Sequence, residues 1–126
     1  MSLSNKYRYK EKMVLLNEGL EELAEQFKAL IDEGQWGTGT TTPSPTDTGL
    51  ETPVPATLNT VTSANSGTST TFTHTISSTT GNGNDLTEFE LQFLNDDSLV
   101  RFVGGAITKS NSFEVKTIVN INFVRV

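Results

Sequence analysis

From Tyr9 onward the apolar side chains fall at Tyr9, Met13, Leu16, Leu20, Leu23, Phe27 and Leu30, in alternating steps of four and three. That spacing draws one narrow stripe along an α-helix, the kind of seam that an interleaved partner helix covers. The surrounding Leu, Glu, Lys, Ala and Gln are good helix formers, and Gly34 is placed to end the helix in a left-handed conformation. The pattern predicts a helix from about Ser4 to Asp32. Two ways of covering the stripe are open, against sister chains or against this chain's own sheet. Gly19 interrupts it, and its flanks at Asn17, Ala24 and Gln26 carry few complementary charges. Val14, Leu15 and Ile31 lie off the stripe and widen the apolar surface, which suits more than one neighbour.

The helical period is lost after Gly34. Gln35 to Ala56 contains all four prolines, Pro43, Pro45, Pro53 and Pro55, among threonines and glycines. Proline removes amide donors and biases the residue before it toward extended backbone, so neither a helix nor a central strand fits. A connector is expected here. Trp36, followed by Gly37 and Gly39, is its expected anchor, because a large indole in a polar stretch is costly to leave wet. The alternative is an exposed aromatic that binds a partner.

Strand signals then recur at short intervals. Thr57 to Ala64 alternates weakly around Leu58, and Thr70 to Ser77 sets Phe72, His74 and Ile76 opposite Thr71, Thr73 and Thr75. Phe89, Leu91 and Phe93 alternate with Glu88, Glu90 and Gln92, and a period of two marks a half-buried strand with a solvated outer face. The glycines and asparagines of Thr79 to Asp85 read as a turn, as do Asn95 to Ser98 and Ser110 to Ser112. Leu99 to Val103 starts another strand, with Gly104-Gly105 allowing a bulge before Ala106 to Lys109. Phe113, Val115, Thr117, Val119, Ile121 and Phe123 share one face of a last, long strand.

Composition supports this division. Twenty residues are Thr, seventeen of them between Thr38 and Thr80, and a β-branched side chain suits a pleated surface better than a helix. A chain of 126 residues has room for one domain of the usual ~100–150 residues. The expected fold is mainly β with an N-terminal α-helix, an antiparallel β-sandwich of jelly-roll-like type. Its expected parts are an assembly helix over residues 1–34, a Thr/Pro-rich connector over 35–56 and the sandwich over 57–126.

Charge and residue usage narrow the function. A net charge of −6 without a basic stripe argues against a nucleic-acid partner. Lys6, Arg8, Lys10 and Lys12, interleaved with Tyr7 and Tyr9, are a local exception that suits phosphates or an acidic surface, beside the plainer reading of a solvated helix start. There is no Cys, which excludes disulfides and thiolate chemistry. No stretch approaches the ~20 apolar residues that span a bilayer, and the start of the chain lacks the apolar core of a secretion signal. A soluble chain with no membrane partner is expected.

Candidate chemistry is thin. His74 is the only histidine, and its alternation with Phe72 and Ile76 reads as a partly buried strand position. Glu88 and Glu90 share one strand face roughly 7 Å apart, the geometry of an acid–base pair but also that of a solvated face. Asn95, Asp96 and Asp97 offer oxygens without the alternating spacing of a calcium loop. Gly81 and Gly83 are followed by neither the lysine nor the helix start of a phosphate loop. No catalytic set, cofactor or metal is expected.

Asn17-Glu18-Gly19-Leu20, Trp36-Gly37-Thr38-Gly39-Thr40-Thr41-Thr42-Pro43 and Asp47-Thr48-Gly49-Leu50-Glu51 together resemble a pattern of small virion proteins of tailed bacterial and archaeal viruses. In that pattern a helix precedes a Gly-Thr-Gly-Thr-Thr-x-Pro connector and an Asp-Thr-x-Leu-Glu element. Leu86-Thr87-Glu88-Phe89-Glu90-Leu91 and Ile107-Thr108-Lys109 resemble its later strands, so the likeness runs from about Leu16 to Val126. Gln35-Trp36 departs from the small or β-branched residues usual before the Gly-Thr-Gly run. The resemblance implies a non-enzymatic building block of a tail fibre, tip, baseplate or capsid surface, assembled in the host cytoplasm as a homo-oligomer, often a trimer, among other virion proteins. The alternative is a module that uses the loops Thr79 to Asp85 and Asn95 to Ser98 to bind a host surface glycan or protein. A small glycan hydrolase built on Glu88 and Glu90 is the third class.

Overall fold

The computed structural model describes residues 14–125. Helix α1 spans Asn17–Lys28 and is followed by strand β1, Ile31–Gly37. A 3₁₀ turn at Pro55–Thr57 precedes the short β2, Asn59–Thr60, and then β3, Thr62–Ser66. Strands β4, Ser69–Ile76, β5, Asp85–Phe93, β6, Ser98–Thr108, and β7, Val115–Asn122, complete the chain. Two antiparallel sheets, ordered β2-β1-β5-β6 and β3-β4-β7, pack face to face as a β-sandwich. The described strands number seven, one fewer than the eight of a jelly roll, so sandwich is the description that the strand order supports.

The helix is shorter than its sequence pattern predicts. Leu16 already has extended backbone, with φ −74° and ψ 157°, and Ile31 starts a strand opposite Phe93. Glu18 in the first turn and Lys28 in the last complement the helix dipole. Gly34 lies within β1, where an added Cβ would come 2.8 Å from the Phe89 ring and 2.9 Å from His74. It therefore permits close packing between the sheets and does not end a helix. The expected boundary at residue 34 moves accordingly, because the sandwich takes its first strand from the end of the expected helix and the start of the expected connector.

The stretch expected as one strand over Thr57 to Ala64 divides at Val61, with β2 joining the first sheet and β3 the second. Across the gap, Ile31, Phe89 and Leu91 meet Phe72 and Val119 to form the core. Helix α1 closes one end of it through Leu20, Ala24 and Phe27. The Phe27 ring meets Phe72 and Phe123 edge-on at 5.8 and 5.5 Å, and the Thr70 hydroxyl donates to the Ala24 carbonyl at 2.6 Å. Near Gly104-Gly105 the β5–β6 register shifts, as four residues of β6 span the distance covered by two of β5. This is the bulge that the glycine pair allows.

Candidate functional site

The outer face of the first sheet contains an ion-pair site under a strap. Residues 38–54 leave the end of β1, cross over the sheet and return beside the same strand. Thr38 N–H donates to Thr52 O and Val54 N–H to Trp36 O, each at 2.9 Å. Beneath the strap lies Glu88, only 1% exposed. Its Oε1 accepts from Glu51 N at 2.8 Å and Arg101 Nε at 2.9 Å; its Oε2 accepts from Gly39 N at 2.6 Å and Thr52 N at 2.9 Å. Arg101, whose side chain is 5% exposed, donates through Nη1 to Asp47 Oδ2 and through Nη2 to Thr41 O, both at 3.0 Å. Arg101 thus bonds to both Glu88 in the sheet and the strap above it.

The glycines of the Gly-Thr-Gly run allow this approach. A Cβ at Gly39 would sit 2.3 Å from Glu88 Oε2, and one at Gly37 would sit 2.6 Å from Thr52 O. The Thr87 hydroxyl adds a 2.6 Å bond to Gly39 O. Burial raises the Glu88 pKa, but the Thr52 and Glu51 amides, Arg101 and the Gly39 amide together hold it below the ordinary carboxylate value.

The expectation of a solvated Glu88–Glu90–Gln92 face is therefore corrected, because the strap covers it. Glu90 is also buried, with Oε1 accepting from Gln92 Nε2 at 2.7 Å and Oε2 without a partner. Both oxygens of Glu88 are saturated by donors, which is the coordination of a carboxylate that holds structure together. Sequence reasoning missed Asp47 and Arg101 as members of this site. The available signal was a lone arginine in an apolar strand, together with paired glycines in a threonine-rich stretch.

Trp36 is half-buried within β1, not in the connector, and its ring lies 5.3 Å from Phe89. Thr57 ties this strand to the strap, accepting from Trp36 N at 2.9 Å and donating to Val54 O at 2.7 Å. His74 is fully buried, with Nε2 2.9 Å from Thr57 O. A carbonyl only accepts, so Nε2 carries a proton, while Nδ1 is buried without a hydrogen-bond partner. Burial lowers the His74 pKa against the opposing effect of the Thr57 and Gly34 backbone.

Lys109, also buried, donates to Asn82 Oδ1 and Ser110 O at 2.8 Å and to Ser78 O at 3.3 Å, joining two loops. In the Asn95 to Ser98 turn, Asp97 Oδ2 accepts from Asn95 Nδ2 at 3.0 Å, and Asp96 has φ 69°. Among the described residues no three His, Asp or Glu side chains gather as metal ligands.

Of the expected seam residues, Tyr9 and Met13 lie outside the described residues. Leu20 is buried and Phe27 is packed inward, whereas Leu16, Leu23 and Leu30 are 66%, 50% and 48% exposed. Leu94, 63% exposed, sits beside Leu30, its N–H donating to Leu30 O at 3.1 Å. The seam thus divides, one part sealing the sandwich and the other left outside it. Comparison with protein-family models, with curated proteins and with solved structures returned no match.

Proposed function

We propose that this chain is a non-catalytic structural subunit of a tailed-virus particle, assembling through helix α1 with copies of itself and with other virion proteins. The observation that carries the reading is the divided seam. Leu20, Ala24 and Phe27 already satisfy the sandwich, yet Leu16, Leu23, Leu30 and Leu94 stay open to solvent beside them. Apolar side chains left exposed beyond what the sandwich needs suit a contact with another molecule. The virion setting rests on the Gly-Thr-Gly and Asp-Thr-x-Leu-Glu resemblance, and a trimer is the arrangement that this resemblance implies. Those motif residues also build the strap, with Gly39, Asp47 and Glu51 all bonded to Glu88 or Arg101. Size-exclusion chromatography with light scattering tests assembly: an oligomer at micromolar concentration that dissociates on Leu23→Gln is expected, and a stable monomer overturns the reading. Mass spectrometry of purified particles tests the setting.

A binding module is the second reading, favoured by the rigidity of one loop. Lys109 fixes Ser78 and Asn82, and Ser77 bonds the hydroxyls of Thr79 and Thr80 at 3.0 Å. Loops held on a rigid scaffold commonly carry recognition. Glycan-array binding that is lost on changing Asn82 and Asn84 would favour this reading over assembly alone.

A further inference from the structure

The exposed part of α1 is acidic as well as apolar. Glu18, Glu21, Glu22 and Glu25 are all exposed around Leu23, Asp32 and Glu33 follow half-buried, and Lys28 is the only basic residue of the helix. Residues 14–126 carry fourteen acidic and five basic residues, and two of the five, Arg101 and Lys109, are committed internally. Residues 1–13 have the opposite character, with four basic residues, one acidic residue and the aromatics Tyr7 and Tyr9. The excess is nine negative charges on one part and three positive charges on the other.

We infer that the basic, tyrosine-bearing segment Met1–Met13 of one copy docks on the acid-rimmed apolar surface of helix α1 in a second copy. This rests on the assembly reading and names the partner segment. The receiving residues are Leu23 on the helix and, just past its end, Leu30 with Leu94, where Leu30, Phe93 and Leu94 line a shallow pocket of about 240 Å³. Tyrosine suits such a place, since its ring covers leucine while its hydroxyl reaches the polar rim. Lysine and arginine lie their methylene stems on the same surface and direct their charges to the surrounding glutamates. The charge pairing steers encounter and selects the register, while the apolar contact supplies affinity.

The start of α1 favours a neighbour as the recipient. Val14 to Leu16 contain no turn, Leu16 is extended, and Arg125 donates both to the Leu15 carbonyl and to Asn17 Oδ1, the latter at 3.2 Å. Among the described residues the chain therefore enters the helix without a reversal.

The test is sedimentation velocity on the full chain, on a Lys6→Glu/Arg8→Glu/Lys10→Glu/Lys12→Glu variant and on Leu23→Gln, at low and molar salt. Hydrogen exchange on α1 is followed in parallel. The expected result is association that weakens about tenfold or more in both variants. It also weakens in molar salt, where the screening length falls to about 3 Å. Exchange on α1 should slow only as the native chain associates. If the charge-reversed chain associates as the native one does, the segment proposal fails while assembly through α1 stands. If the native chain is monomeric at every concentration, both fail. If α1 is protected in a monomer and loses protection on charge reversal, the contact is intramolecular and the proposal is overturned.

Discussion

Arg101 Nε lies 2.9 Å from Glu88 Oε1, the two side chains projecting from adjacent strands and buried beneath the strap. Removing one partner of a buried ion pair leaves the other uncompensated, which typically costs several kcal/mol. Glu88→Gln keeps the side-chain shape but replaces an oxygen acceptor with an amide donor opposite N–H groups. A loss of about 3 kcal/mol is expected, read by urea denaturation. Limited proteolysis should show new cleavage within residues 38–54, and unchanged stability would deny Glu88 its role in holding the strap.

Acid should act in two stages. His74 has a lowered folded-state pKa because it is buried. As the pH falls below about 6.5, the unfolded chain binds a proton that the folded chain resists, and stability declines. Glu88 also has a lowered folded-state pKa, in this case through its donors. Its contribution is present above the unfolded value of about 4.3 and disappears as the pH falls through the folded one. His74→Gln should flatten stability between about pH 7 and pH 5, while Glu88→Gln should flatten the more acidic limb. Urea midpoints measured across pH check both, and parallel native and His74→Gln curves would contradict the first stage.

Gly39 and Gly104 provide a matched pair. A Cβ at Gly39 would meet Glu88 Oε2 at 2.3 Å and Glu51 Cβ at 2.5 Å, whereas one at Gly104 meets nothing within 4 Å. Gly39→Ala should cost about 2 kcal/mol through overpacking. Gly104→Ala should stay within about 0.5 kcal/mol of the native chain. Thermal or urea unfolding distinguishes them, and equal effects would refute close approach as the reason for Gly39.

The two parts of the seam should separate experimentally. Phe27→Ala removes a ring packed on Phe72 and Phe123 and should cost about 3 kcal/mol of fold stability. Leu23→Gln, at a half-exposed position, should alter fold stability by no more than about 1 kcal/mol while weakening association about tenfold or more. Denaturation at low protein concentration, compared with light scattering at high concentration, reads the two effects independently.

The sequence by itself determined the class of α1 and of the strands β3 to β7, but not that of β1. Two-residue alternation carried the inward faces of β4, β5 and β7, because a strand must turn every second side chain toward the core, and the four-three spacing carried the helix. Local pattern did not decide where the helix ends. Ile31 left it when backbone pairing with Phe93, more than sixty residues away, competed successfully with another helical turn. Nor did the alternation of Glu88 and Glu90 report that a second layer would cover their face. Only the tertiary structure brought Gly39, Asp47, Glu51, Glu88 and Arg101 together, since that burial depends on where a distant loop closes. It likewise divided the leucines of one stripe between the inside and the outside, because a helix resting on the end of a sandwich can turn only part of its apolar surface inward.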